Sequence, residues 1–199
     1  MGIQHNKAKD LHWNYYLTLV KDLRTISDYV EFDQTNYDTY SVELSKLLMA
    51  ASSEVDVVLK QLCNTLYKRK KHKNIEDYHK TITSYLAGDF ANETVHIPLH
   101  GLVLNPWSNW NGTTNPLWWK AYNAVKHERN NHFAQATLKN VLNAMAALFV
   151  CIVYLRAIEK EEWANGDKET AVCKGWGELK PREHFLKLDR MPYPLISIE

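Results

Sequence analysis

The fold is decided by residues 133–161, which read FAQATLKNVLNAMAALFVCIVYLRAIEKE. Their apolar side chains recur every three or four residues, as on the buried face of an α-helix, and in the middle they cover nearly the whole circumference. The continuous apolar run, residues 144–155, is too short to cross a bilayer. We therefore predict that this segment is the central helix of a helical bundle, in a cytoplasmic protein without a membrane span.

The segments that precede this helix have the same periodicity. Residues 10–32 and 41–67 each carry one apolar face, and residues 74–88 and 117–129 predict two shorter helices. The connections between the first helices are short, which favours antiparallel neighbours. The sequence therefore predicts an all-α fold, an antiparallel up-and-down bundle of four to five helices.

Two regions interrupt the helical pattern. Residues 89–115 are rich in proline, glycine and asparagine and predict a long irregular loop, with short extended pieces at 94–97 and 102–104. A loop of this length in a compact domain usually serves a function. Glycine and proline return near the C-terminus, so we expect a helical bundle over residues 1–164 and an irregular tail, 165–199, packed against it. The tail residues expected to make these contacts are Trp176, Phe185 and Leu188.

The composition argues against several classes of protein. The 199 residues include 24 basic and 23 acidic side chains and carry a net charge of +1, so a polyanion would have to bind at a local patch. The three cysteines are far apart and form no Cys-x-x-Cys pair, which argues against disulfides and a cysteine-rich zinc site. The chain contains no glycine-rich phosphate loop and no Gly-x-Ser-x-Gly motif. We therefore expect neither a metal nor a cofactor.

Functional side chains are densest in residues 118–133, WWKAYNAVKHERNNHF. On a continuous helix His127 and Arg129 would point in roughly opposite directions and could not share a ligand. Asparagine is a favoured N-cap, so we expect the helix to break at Asn130-Asn131, with Asn131 beginning the next helix. Such a break would place two imidazoles and two cations beside a helix N-terminus, which can bind an anion or a phosphate. These side chains are Lys126, His127, Arg129 and His132.

The order of the motifs along the chain resembles a known family. A tyrosine-serine helix start at Tyr40-Ser41 is followed by a long core helix with Ser-Glu-Val-Asp at 53–56, a proline-tryptophan loop, Trp118-Trp119 and the segment 122–129. This layout, over roughly residues 10–160, is similar to the HEPN superfamily. The specific part is the Asn-x-x-Lys-His-x-Arg pattern, which resembles that of uncharacterised bacterial members.

The resemblance implies a function directed at RNA. Many HEPN domains are metal-independent ribonucleases of toxin–antitoxin and antiphage defence systems that act as homodimers, while others bind nucleotides, RNA or a partner protein without cleaving anything. The ribonucleases use an arginine followed, after four to six residues, by a histidine. Here Lys126 and His132 have that spacing, so a lysine, which offers a point charge, stands where arginine would hold a phosphate with two hydrogen bonds.

A ribonuclease site would divide its tasks among these side chains. His127 or His132 would transfer protons at the ribose 2'-hydroxyl or the leaving oxygen, because imidazole titrates near neutral pH. Lys126 and Arg129 would hold the phosphate, and Asn123 would orient an imidazole or contact the phosphate. The candidate binding residues beside them are Trp110, Trp119, Tyr122 and Asn130.

Structural interpretations of the same residues stay open at this point. The polar segment could simply end one helix and pair with acidic residues of the long second helix, for instance through a buried Arg129–Glu54 ion pair. The clustered tryptophans could stack bases, or they could anchor the loop in the core. The basic run at residues 68–73 could contact RNA phosphates, or it could be a solvated helix end that complements the helix dipole.

Overall fold

The computed structural model describes residues 7–179 and 185–190. This part of the chain is mainly helical, as predicted, but its seven α-helices exceed the four to five that we expected, and three short strands accompany them. The α-helices are α1 (Lys7–Ser27), α2 (Val42–Leu66), α3 (Ile75–Ala91), α4 (Leu117–His132), α5 (Leu138–Ala157), α6 (Glu161–Ala164) and α7 (Lys168–Glu178). The strands are β1 (Val95–Ile97), β2 (Leu102–Leu104) and β3 (Lys187–Leu188).

Helix α5 is the centre of the molecule. It contacts α1, α2, α4 and α7, and nearly all of its side chains are buried. By length and composition it could cross a membrane, but most of it is enclosed by the rest of the protein, as is usual for the core helix of a soluble protein. The helix begins at Leu138 rather than at the predicted Phe133, because Thr137 caps it by accepting a hydrogen bond from the Asn140 backbone N–H.

The beginnings of α2 and α5 lie side by side. Tyr40 and Thr137 form an isolated antiparallel bridge, and the Leu138 N–H donates to the Thr39 carbonyl at 2.8 Å. Ser41 caps α2 by accepting from the Leu44 N–H, as expected from a serine at a helix start. Helices α2 and α5 therefore begin at the same end of the bundle. The sequence predicted antiparallel neighbours and did not predict this pair.

The long loop contains the two extended pieces that the sequence predicted. Strands β1 and β2 pair antiparallel, with Val95 opposite Leu104, and β3 adds to the other edge of β1 to give the order β2-β1-β3. Trp107 and Trp110 then bury their rings in the core. The loop is thus anchored to the bundle at both of its ends.

The C-terminal segment is more regular than predicted. Residues 168–178 form helix α7, which packs along α5, so the expectation of an irregular tail is wrong for these residues. Close approach of the two helices is possible because position 175 is glycine: a Cβ there would lie 2.9 Å from the Ala157 backbone nitrogen. Trp176, Phe185 and Leu188 are buried, as predicted. Residues 180–184 and 191–199 of the predicted tail lie outside the described residues.

Candidate functional site

The two halves of α4 have opposite environments. The first half carries buried Trp118, Trp119, Tyr122 and Val125, and the Trp118 indole N–H donates to the Pro106 carbonyl at 2.8 Å. The second half, from residue 126 onward, is exposed except for the partly buried His132. Helix α4 therefore projects from the core and presents its polar end to solvent.

A kink separates these polar residues, but it lies earlier than predicted. Glu128 has φ −138° and ψ 57°, which is not helical, whereas the expected break was at Asn130-Asn131. Asn131 does not begin a new helix, because the helical turn continues to His132 and Thr137 caps α5. The expectation that the cluster lies at the N-terminus of the last helix is therefore wrong.

The kink creates an open concavity in the surface of the protein. Its volume is about 590 Å³, and residues 125–131 line it. Lys126, His127, Arg129 and Asn130 are all exposed around it. His127 and Arg129, which a straight helix would separate, thus border one surface, and we call this surface the kink site.

The cations and the imidazole of the kink site have few partners. Within residues 7–179 and 185–190, no carboxylate lies within ion-pair distance of Lys126, His127 or Arg129. The Lys126 ammonium lies 5.3 Å from the centre of the Tyr122 ring, where the π-electrons of the ring attract it. A negatively charged ligand would therefore not have to displace an internal partner.

Two predicted members of the cluster lie apart from the kink site. His132 does not line the concavity: its Nδ1 accepts from the Gln135 amide at 3.0 Å, and its Nε2 lies 3.7 Å from a Glu128 carboxylate oxygen. Asn123 is partly buried, and its amide donates to the Trp119 carbonyl one turn earlier at 3.0 Å. The structure thus brings together Lys126, His127, Arg129 and Asn130, but not His132 or Asn123.

The alternative that Arg129 forms a buried pair with Glu54 is wrong. The Glu54 carboxylate instead lies 2.5 Å from the His12 Nδ1 atom, and the second imidazole nitrogen of His12 lies 3.0 Å from Gln61 Oε1. Arg129 is exposed on the surface. The pattern in α4 is therefore not explained by an internal ion pair with α2.

The tryptophans serve the core. Trp110 and Trp119 are only 2% and 7% exposed, and Tyr122 is 5% exposed. Trp110 packs against the rings of Phe90 and His79, with centroids 6.0 and 5.2 Å away. None of the three predicted binding aromatics presents a free ring face, so they do not provide a platform for stacking bases. The core-anchoring interpretation of the tryptophans agrees with this packing.

A second concavity adjoins the kink site, and the sequence alone did not reveal it. It has a volume of about 550 Å³ and lies between the start of α3 and α4, with Asp56 of α2 at its side. Lys73, Lys120 and Lys126 border it, so Lys126 lines both concavities. We call it the lysine groove. The spacing of Lys120, Asn123 and Lys126, at successive intervals of three residues, was the one local signal for it.

The described chain offers no metal site. No group of three or more histidine, cysteine or acidic side chains lies close enough to hold an ion within the described ranges. Burial raises the pKa of Cys63 to about 12 and raises the pKa of Cys151 as well, so both thiols stay protonated and unreactive. Chemistry at the kink site would thus rest on imidazole, ammonium and guanidinium groups.

Comparisons of this chain with family models, with curated proteins and with solved structures give no match.

Proposed function

We propose that this protein is a HEPN-like cytoplasmic RNA-binding protein that acts as a metal-independent endoribonuclease in a toxin or antiphage defence system. The observation that carries the proposal is the kink at Glu128, where His127 is exposed between two cations, Lys126 and Arg129, that have no acidic partner among the described residues. Two cations beside an imidazole suit a phosphodiester next to a 2'-hydroxyl.

All the groups that the cleavage step needs are supplied by copies of this chain and by the RNA. The imidazole of His127 removes the proton of the ribose 2'-hydroxyl, and the resulting oxygen attacks the adjacent phosphorus. The bond from phosphorus to the 5'-oxygen breaks, and a second imidazole gives that oxygen a proton. The products are a 2',3'-cyclic phosphate and a free 5'-hydroxyl. Lys126 and Arg129 stabilise the charge that develops on the phosphoryl oxygens.

The second imidazole is the reason to propose a homodimer. In the single chain both ring nitrogens of His132 have partners, Gln135 and Glu128, and His132 does not line the kink site. A second copy of the chain, placed with its kink site facing the first, would supply its own His127 as the missing acid. The family resemblance also implies an arrangement of two copies.

The enzyme proposal is tested by RNA degradation in the presence of EDTA. We expect the wild-type protein to cleave an end-labelled single-stranded RNA and to leave cyclic phosphate ends, and we expect the His127→Ala, His132→Ala double variant to lose this activity. His96→Ala is a matched control, because His96 lies in β1 beside Asp189 and away from α4. Equal cleavage by wild type and double variant would refute the enzyme proposal.

A non-catalytic RNA-binding module is the second candidate. It is favoured by the partners that already hold His132 and by the lysine at position 126, since both count against cleavage while a lysine still attracts a phosphate by its charge. In this case the wild-type protein binds RNA without cleaving it, and Arg129→Ala weakens binding. Fluorescence anisotropy with labelled RNA measures the affinity, and the absence of product separates this candidate from the enzyme.

A further inference from the structure

The lysine groove has two walls that are tied together. One wall is the start of α3, where Asn74 caps the helix by accepting from the Asp77 N–H, and the other is α4. The Asn115 amide, just before α4, donates to the Glu76 carboxylate at 3.2 Å and joins the walls. The groove is therefore built from two anchored helices rather than from mobile side chains.

The side chains that line this groove carry a net positive charge. The ammonium groups of Lys73, Lys120 and Lys126 have no carboxylate within ion-pair distance in the part of the chain that the structure describes. Two acidic residues, Glu76 and Asp56, also line the groove, so its three lysines exceed its carboxylates by one charge. The Glu76 carboxylate accepts from the neutral Asn115 amide, which holds it in place at the α3 side.

The loop between α2 and α3 extends this positive surface. The basic run begins after the end of α2 at Leu66, so its side chains belong to the loop and not to the last helical turn. His72 is 1% exposed and pins the loop, because its ring nitrogens lie 2.9 Å from the Asn64 side-chain oxygen and 2.9 Å from the Thr81 hydroxyl. The cations on either side of it are exposed, and all except Lys70, which pairs with Asp77, lack an acidic partner in the described ranges. These are Lys68, Arg69, Lys71 and Lys73.

The loop, the groove and the kink site are continuous. Lys73 belongs to both the loop and the groove, and Lys126 belongs to both the groove and the kink site. A chain of negative charges laid along them would meet cations from residue 68 to Arg129. This is the arrangement that a nucleic-acid backbone requires.

The dimensions favour one strand over two. A cavity of about 550 Å³ accommodates a ligand about as large as one nucleotide, and a flexible single strand inserts one nucleotide more readily than a base-paired duplex does. The rings that form its floor, Trp119 and Tyr122, are buried, so contacts would be made to phosphates rather than to base faces. Phosphate contacts position a strand without reading its sequence.

We propose that the loop at residues 68–73 and the lysine groove form a track that binds the backbone of single-stranded RNA and leads it to the kink site. This inference rests on the proposed function, since it takes RNA as the ligand. It adds the substrate class, single-stranded RNA with little sequence preference, and a set of binding residues distinct from those at the scissile bond.

The test measures how binding depends on salt. The probe is a fluorescent 2'-O-methyl dodecanucleotide, which cannot be cleaved because it lacks the 2'-hydroxyl. Each phosphate contact to a single strand contributes about 0.7 to the slope of log affinity against log salt concentration. We therefore expect the Lys73→Ala, Lys120→Ala double variant to lose about 1.4 from this slope.

A matched control removes the same charge elsewhere. Lys21 and Lys46 are exposed lysines on α1 and α2 that border neither the groove nor the kink site. The Lys21→Ala, Lys46→Ala variant should keep the wild-type slope. Thermal unfolding of both variants, with equal midpoints, confirms that neither pair of substitutions disturbs the fold.

The outcomes separate the track from the proposed function. If wild-type protein does not bind the dodecanucleotide at any salt concentration, the proposed function fails and the track fails with it. If wild type binds and both double variants have the same slope, the track is refuted while the proposed function stands. If a duplex of the same length binds as well as the single strand and loses the same slope in the variant, the single-strand assignment is refuted.

Discussion

Two clusters of polar and charged side chains in this protein have opposite surroundings. Glu93, Tyr154 and Arg190 form a closed cluster: Glu93 is 5% exposed, accepts from the Tyr154 hydroxyl at 2.7 Å and pairs with the Arg190 guanidinium. The kink site is open, and within the described residues Arg129 has no acidic partner. In the closed cluster the charges of Glu93 and Arg190 neutralise each other, whereas the cations of the kink site are available to a ligand.

The difference teaches what a polar cluster in a helical protein can be for. Burial raises the pKa of Tyr154, so its hydroxyl keeps its proton and donates to Glu93. The closed cluster fastens the segment after α7 to the bundle, because Arg190 follows β3 in sequence while Glu93 precedes β1. Its residues should therefore matter for stability and those of the kink site for function.

The largest effect on stability is expected from opening the closed cluster. Glu93→Ala leaves the Arg190 charge and the Tyr154 hydroxyl without their acceptor, and we expect the free energy of unfolding to fall by about 3 kcal/mol. Urea denaturation measures the loss. Arg129→Ala, an exposed arginine without an internal partner, should change the same quantity by less than about 0.5 kcal/mol. A comparable loss in both variants would show that the two clusters do not differ in this way.

A smaller effect is expected at the contact between α7 and α5. Gly175→Ala places a Cβ 2.9 Å from the Ala157 nitrogen and 3.2 Å from its Cα, and these backbone atoms cannot rotate away. We expect a loss of about 2 kcal/mol in the free energy of unfolding, the usual result of overpacking. Gly177→Ala is the matched control on the same helix, where a Cβ meets nothing within 4 Å. It should stabilise the protein by up to about 1 kcal/mol through helix propensity. Equal changes at both positions would contradict the close packing of α7.

The smallest effect is expected from pH, and it compares a closed histidine with an open one. Burial lowers the pKa of His72, and the nearby charge of Lys70 lowers it further. Below a pH of about 6.5 His72 binds a proton in the unfolded chain but not yet in the folded protein. The free energy of unfolding therefore falls as the pH drops toward the pKa of His72 in the folded state. We expect a loss of stability between neutral and mildly acidic pH, measured by urea denaturation.

The control for this pH effect is the difference between variants. His72→Gln should lower stability at neutral pH and should also flatten its pH dependence, because the titrating group is gone. The same measurement on His127→Ala, which removes an exposed imidazole, provides the comparison. If His72→Gln keeps the full pH dependence, then His72 is not its source.

Much of the helical framework could be predicted because it depends on local chemistry. The apolar periodicity of α2 and its serine cap predicted the helix to within a residue at each end. The α5 start was wrong by five residues, since Phe133 also suits a helical pattern and only Thr137 provides the cap. Helix α7 was missed because two glycines at positions 175 and 177 indicate a loop, whereas Gly175 is there to let α7 approach α5.

The candidate site could be predicted only in part. Its residues were found from their density in one short segment, and the need for a break in α4 followed from the opposite directions of His127 and Arg129 on a straight helix. The position of the break could not be predicted, because glutamate is not a residue type that indicates the non-helical backbone found at Glu128. The absence of His132 from the kink site could not be predicted either. It depends on Gln135 and Glu128, which each contact one of its ring nitrogens.

The sequence by itself determined that this chain is a helical bundle built around one apolar helix, because periodicity and capping are properties of neighbouring residues. Only the tertiary structure decided which polar groups are closed and which are open. Glu93 and Arg190 are far apart in sequence and pair in space, while Lys73 from the loop before α3 meets Lys120 and Lys126 of α4 at one groove. Burial and pairing of charges depend on contacts between distant segments, and a linear pattern does not contain them.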